Sequence, residues 1–131
     1  MKGTIIIGAL VLALSITGSA YAHHASAGID RSSTVTVDGT VKTFKWANPH
    51  SWIEMEVVTD AGETLLWNLE VFPPSYLIRA GWTRSTVSPG DQITVTLNGF
   101  SNGDPGGIFV SVTLADGKVL SQRPPRPAAR N

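Results

Sequence analysis

The chain contains no cysteine, so no disulfide bond can stabilise it and no thiolate can bind a metal. Any metal site must use nitrogen or oxygen ligands, with methionine sulfur as a weak addition. An excess of either charge is also missing, because 10 basic and 10 acidic side chains balance. A near-neutral chain lacks the basic surface of a nucleic-acid binder. No G-x-S-x-G elbow or other nucleophile constellation occurs, so we expect a binding protein and not an enzyme.

Long apolar runs are missing except at the amino terminus, where they form an export signal. Lys2 precedes the uncharged run Thr4–Ile16, and the small residues Ala20-Tyr21-Ala22 form an A-x-A cleavage site. The run is short for a membrane span, which needs about 20 apolar residues. We therefore predict a signal peptide at residues 1–22, helical before removal, and no stable membrane insertion after cleavage. An uncleaved anchor is the alternative.

The mature region alternates apolar and polar residues as β-strands do. Residues 23–33 show no period and are predicted to form an N-terminal arm, whereas residues 34–120 form the barrel domain. Residues 121–131 are rich in proline and arginine and are predicted to be a disordered tail. Five strands are predicted, in the segments Thr34–Trp46, Ser51–Thr59, Glu63–Val71, Ser88–Phe100 and 108–120.

The pattern within these segments predicts how the strands are arranged. In the second strand Ile53, Met55 and Val57 are expected to face inward, and in the fourth Ile93, Val95 and Leu97. The apolar residues of the first strand change face near Lys42-Thr43, which indicates a bulge or tight turn, and Asp38-Gly39 allows either. The second and third strands form a hairpin that turns at Asp60-Ala61-Gly62.

One short helix is predicted between the third and fourth strands. Pro73-Pro74 can open it, Ser75 to Ala80 make about two turns, and Gly81 is placed to end it. Five strands with a helix in this position match an all-β, OB-like barrel. A small antiparallel sandwich is the rival, and a bend in the first strand favours the barrel.

The histidines are few and grouped. His23 and His24 directly follow the predicted cleavage site, and His50 lies between the first two strands. A terminal histidine offers its α-amine and imidazole to one metal, and the amine can lose its proton near neutral pH. A second imidazole completes a three-nitrogen histidine brace, which suits Cu(II). We expect His23 and His50 as metal ligands, with His24 as a substitute ligand or a neighbour of the site.

Two other interpretations of these histidines stay open. Cu(II) can bind the free terminus alone, through the amine, the intervening amide and the His24 imidazole. Alternatively, His23 and His24 are a solvated start and His50 belongs only to a turn. Trp46, Trp52, Trp67 and Trp82 could form a stacking platform for a sugar or peptide, although strand parity favours the core for most of them, Trp67 above all.

Several motifs together resemble a family of small exported bacterial proteins of unknown function. They are His23-His24, the segment Gly39–Trp52 with N-P-H-S-W, Leu77–Arg84, Pro89–Asp91 and Asp116–Leu120. Ile29-Asp30 stands where the family has Phe-Asp. The resemblance implies periplasmic residence and a small β-barrel, and it implies no activity.

The residues together predict a periplasmic Cu(II)-binding protein that binds, delivers or sequesters the metal, with a periplasmic protein as a possible partner. A metal-free OB-fold module that binds a peptide or glycan is the alternative. A copper oxidase or monooxygenase of brace type ranks last, because the domain is small and has no further redox centre.

Overall fold

A computed structural model of the chain describes residues 28–126. Six strands and one helix follow in the order β1, β2, β3, α1, β4, β5, β6. Their bounds are β1 Val35–Lys45, β2 Ser51–Val58, β3 Thr64–Val71, α1 Pro74–Arg79, β4 Gln92–Gly99, β5 Gly106–Thr113 and β6 Val119–Ser121. The sheet order is β3-β2-β1-β4-β5-β6, and a parallel pairing of β3 with β5 closes it. The predicted five-stranded OB-like barrel is confirmed, with β6 as a short addition to its edge.

The first strand serves both halves of the barrel. Its beginning pairs with β4 and its end pairs with β2. The register with β2 shifts between Val41 and Thr43, where an irregularity adds a bend. The bend lies where the apolar parity of the sequence changes, as predicted, and it excludes the flat sandwich.

Two glycines let β5 enter between β3 and β4. Gly106 and Gly107 have φ angles of 130° and 152°, where side chains are disfavoured. A Cβ at Gly106 would collide with the carbonyl oxygen of Asn68 in β3, and one at Gly107 with that of Asn98 in β4. The barrel therefore closes where the backbones of three strands approach without side chains between them.

The predicted helix is present, and it carries the chain from β3 to β4. Pro73 precedes its first turn, and Gly81 follows its last turn at a φ of 89°. Leu77 is its buried residue. Trp82, just beyond it, is 2% exposed and donates its indole N–H to the carbonyl of Ser121 at 2.9 Å. The helix thus covers the barrel interior, and Trp82 ties this region to β6.

The core consists of the inward faces of the strands. In β2 the predicted inward residues Ile53, Met55 and Val57 are buried, and in β4 Ile93, Val95 and Leu97 are buried. In β5 the alternation is broken, because the β4 partners of Ser111 and Phe109 are the adjacent residues Thr96 and Leu97. Val110 is the extra residue of this bulge. Phe109 therefore faces the core, whereas Ile108 and Val110 are only half-buried.

The fold continues past the predicted end of the barrel domain at residue 120. β6 includes Ser121, and Gln122 is 5% exposed. The Gln122 side chain accepts a hydrogen bond from the Phe72 amide at 3.0 Å and donates one to the carbonyl of Phe109. It thereby connects the end of β3 to β5 where the two strands no longer pair.

Candidate metal-binding site around His50

His50 ends the short connection between β1 and β2. The Asn48–Pro49 peptide bond before it is cis. Ser51 follows it and is fully buried, and its hydroxyl lies 3.4 Å from both the amide nitrogen and the carbonyl oxygen of Ala47. A buried serine therefore holds the start of β2 against the connection, while the His50 side chain remains 47% exposed.

Glu70 of β3 is the direct partner of His50. The Nδ1 atom of His50 lies 2.6 Å from Oε1 of Glu70, whose side chain is 22% exposed. The register explains the contact, because Trp52 pairs with Glu70 and Ser51 pairs with Val71 across β2 and β3. A carboxylate accepts a hydrogen bond, so it favours the tautomer with its proton on Nδ1. The lone pair of Nε2 is then available to a metal.

The two flanking tryptophans differ in their surroundings. Trp46 packs edge-to-face on Phe44 at 5.7 Å between ring centroids and against the core. The guanidinium of Arg84 lies 6.0 Å from its ring. Trp52 lies on the outer face of β2 and is 37% exposed. Trp46 therefore stiffens the connection, and Trp52 offers open apolar surface beside His50.

The remaining tryptophans belong to the interior. Trp67 packs against the core from the inward face of β3, as predicted, and Trp82 is buried within it. The four tryptophans therefore do not form one common stacking platform.

The outer faces of β1, β2 and β3 carry charged side chains of both signs. Glu54 and Glu56 alternate with buried residues on β2, and Glu70 lies across from Trp52 on β3. Glu54 accepts a hydrogen bond from Thr43 at 3.1 Å, and Glu56 lies 3.9 Å from the ammonium of Lys42. A partly exposed ion pair of this kind contributes little to stability. Lys45 lies on the same outer face, because it pairs with Trp52 across β1 and β2. Three glutamates and two lysines leave this face only slightly acidic.

The other predicted ligands, His23 and His24, lie outside the described residues, so the structure does not place them. Within residues 28–126, no three histidine, aspartate or glutamate side chains are grouped closely enough to hold a metal ion. In the same part of the chain, no helix has the length and apolar character needed to cross a membrane. His50 and Glu70 therefore form only a part of any metal site, and further ligands must come from elsewhere.

Sequence reasoning missed Glu70. Its signal was present, because the predicted hairpin turns at Asp60-Ala61-Gly62, and counting outward from Ala61 pairs Trp52 with Glu70. The outward parity of Glu70 on β3 then puts its carboxylate near the residue preceding Ser51. Only the register of the hairpin, and no motif, identifies this partner.

Comparison with known proteins gives a family and a similar solved structure. Residues 11–109 match the model of DUF6152, described as a family of unknown function. No curated protein matches the chain. A similar solved structure is the crystal structure of the mitochondrial single-stranded DNA binding protein Rim1 from S. cerevisiae. It is 14% identical with a TM-score of 0.46, and the match covers 63% of this chain and 94% of that one. Because the family model matches more than half of the sequence, this protein belongs to the DUF6152 family.

Proposed function

We propose that the protein is a periplasmic Cu(II)-binding protein that binds, delivers or sequesters the metal and does not catalyse a reaction. Its ligands are the amine and imidazole of His23, freed by cleavage after Ala22, and the imidazole of His50. His24 is a substitute ligand or a neighbour of the site. The pairing of His50 with Glu70 carries the proposal within the described residues.

The chemistry of that pair is the reason. Metal-binding histidines almost always donate their second ring N–H to a carboxylate, carbonyl or water, which fixes the tautomer and raises the basicity of the ligand. Glu70 at 2.6 Å from Nδ1 supplies such a carboxylate. His50 is half-exposed, so its ring is accessible to an ion from solvent. The nitrogen donors and the absence of cysteine favour Cu(II) over metals that prefer sulfur or oxygen.

The closure of the barrel bears on whether the arm can reach His50. Ile29 bridges to Phe100, the Phe100 amide donates a hydrogen bond to the Gly106 carbonyl, and Gly106 pairs with Asn68 of β3. Three strand spacings of about 4.8 Å therefore separate Ile29 from the strand that carries Glu70, the partner of His50. The five peptide units from His23 to Gly28 span at most about 18 Å when extended. The length of the arm is therefore sufficient for the brace.

Binding at the terminus alone does not require the arm to reach His50. The amine, the amide of His24 and its imidazole would bind Cu(II) without any help from the barrel. This mode and the brace make opposite predictions for His50, because only the brace loses a ligand when His50 is replaced.

A second candidate function rests on the outer face beside His50. Trp52 is 37% exposed and Leu66, on the neighbouring strand, is 41% exposed. An apolar surface bordered by Lys45 and by glutamates suits a peptide or a glycan. This metal-free binding module is the alternative if Cu(II) does not bind.

The test begins with the intact mass of the protein purified after export, which identifies its first residue. Cu(II) affinity is then measured by competition titration for the mature wild type, for His50→Ala, and for a chain extended by one alanine before His23. The brace predicts a first residue of His23, one tightly bound Cu(II), and a large loss of affinity in both variants. An extended wild-type terminus, or no Cu(II) binding, contradicts the proposal. Unchanged affinity in His50→Ala supports the terminal mode.

A further inference from the structure

A groove with a volume of about 500 Å³ lies on the outer surface of the barrel, and neither His50 nor Glu70 is among its lining residues. Ile108 and Val110 line it from β5. Both side chains are turned from the core because the bulge in β5 directs Phe109 inward. The bulge therefore gives the groove an apolar floor.

The charges that line the groove have one sign. Arg31 and Arg123 are among its lining residues, and no aspartate or glutamate is. The salt bridges within residues 28–126 join Lys42 to Glu56 and His50 to Glu70, so neither arginine is neutralised there by a carboxylate. Glu70, whose backbone pairs with that of Ile108, is engaged by His50. The whole chain has a net charge of zero, so the excess of positive side chains is local to this groove.

Contacts with neighbouring residues position Arg123. Its guanidinium lies 5.4 Å from the ring centroid of Phe72, a cation–π distance, and its amide donates a hydrogen bond to the Ser121 hydroxyl at 3.2 Å. The Phe72 ring packs edge-to-face on Tyr76 at 5.4 Å. A guanidinium held over an aromatic ring loses less conformational freedom when it binds an anion.

The nearest acidic residue in the sequence does not neutralise Arg31. The Asp30 carboxylate accepts hydrogen bonds from the hydroxyls of Ser32 at 2.5 Å and Ser33 at 2.7 Å. Asp30 is thus engaged by its own turn, and the charge of Arg31 remains available to the groove.

We propose that this groove binds a small molecule that carries a carboxylate or phosphate on an aromatic or other apolar body. The two guanidiniums bind the oxyanion, for which arginine has matching planar donors. Ile108, Val110 and the Phe72 ring contact the apolar body. The volume lies within the range of sites for small ligands.

The experiment is an NMR titration of the full mature chain, labelled with ¹⁵N, in the presence of EDTA. The chelator keeps metal binding separate, so failure here does not bear on the proposed copper site. The probes are phenyl phosphate and phenylacetate, with phenol as the neutral control. We expect saturable shifts of the Ile108, Val110 and Arg123 amides with at least one anion. Its affinity should fall about tenfold or more in Arg31→Gln and in Arg123→Gln, the loss expected for one charge-assisted hydrogen bond.

Arg84→Gln is the matched control, because Arg84 also lies over an aromatic ring but does not line the groove. Its affinity for the anions should equal that of the wild type. The relative affinities of phenyl phosphate and phenylacetate show whether the groove prefers a phosphate or a carboxylate. Equal shifts with phenol, unchanged affinity in both arginine variants, or no binding of either anion up to about 20 mM overturns the proposal.

Discussion

Gln122 completes the barrel where β3 and β5 separate, and its replacement tests how the barrel closes. Gln122→Met keeps the length of the side chain and removes its two polar groups. The Phe72 amide and the Phe109 carbonyl then lose their partners. An unsatisfied buried donor or acceptor costs about 1–3 kcal/mol. Because Phe72 is only half-buried and its amide can recruit water, we expect a total loss of about 2–4 kcal/mol.

Thermal and urea unfolding of the mature chain measure this loss. For a domain of this size, 1 kcal/mol lowers Tm by roughly 4–8 °C, so Gln122→Met should lower Tm by roughly 10–25 °C. Gln92→Met is the matched control, since Gln92 is exposed and bonds only to the Thr40 hydroxyl. It should change stability by less than about 0.5 kcal/mol. If the two variants are equally stable, the Gln122 bridge does not hold the barrel closed.

Three further predictions concern the glycines, the arm and the candidate site. Gly107→Ala and Gly103→Ala each place a side chain at positive φ, which lowers the free energy of unfolding by about 1–2 kcal/mol. Only the alanine at 107 meets a backbone carbonyl, so urea unfolding should show a further loss of about 1–3 kcal/mol for Gly107→Ala. Equal losses in the two variants contradict this. Hydrogen bonds from Ser32 and Ser33 lower the pKa of Asp30 to about 2. The turn formed by these three residues is therefore fully stabilised above the ordinary pKa of 3.8, and this stabilisation is lost as the pH falls toward 2. A carbon-13 titration of the Asp30 carboxylate with a midpoint near 3.8 refutes the prediction. Glu70→Ala should weaken Cu(II) binding about 10–100-fold in a competition titration. Glu54→Ala, on the same outer face, should leave the Cu(II) affinity unchanged. Equal affinities of the two variants would show that the Glu70 carboxylate does not support His50 as a ligand.

Much of the barrel follows from local patterns in the sequence. Alternation placed Ile53 and Val95 in the core, and paired prolines before a glycine gave the helix. The parity change near Lys42-Thr43 gave the bend of β1, because a change of face within a strand requires an irregularity. These features are local, so a single sequence contains them.

What the sequence could not predict depends on contacts distant in the chain. The bulge at Val110 reverses the face of Phe109, and it is defined only by the register against β4. Gln122 resembles the polar tail around it, and its burial results from two backbone groups in β3 and β5. The pairing of His50 with Glu70 could have been found by counting the hairpin register outward from Ala61, but no local motif indicates it. The bulge at Val110 and the burial of Gln122 require knowing which non-consecutive strands are neighbours.

Pulsed electron paramagnetic resonance of the exported protein with one equivalent of Cu(II) tests the central claim most directly. The method detects the remote nitrogen of each bound imidazole. The account predicts a tetragonal three-nitrogen signal in the wild type and the loss of one imidazole contribution in His50→Ala. Identical spectra for the two proteins would show that the barrel supplies no ligand, and the histidine brace would be wrong.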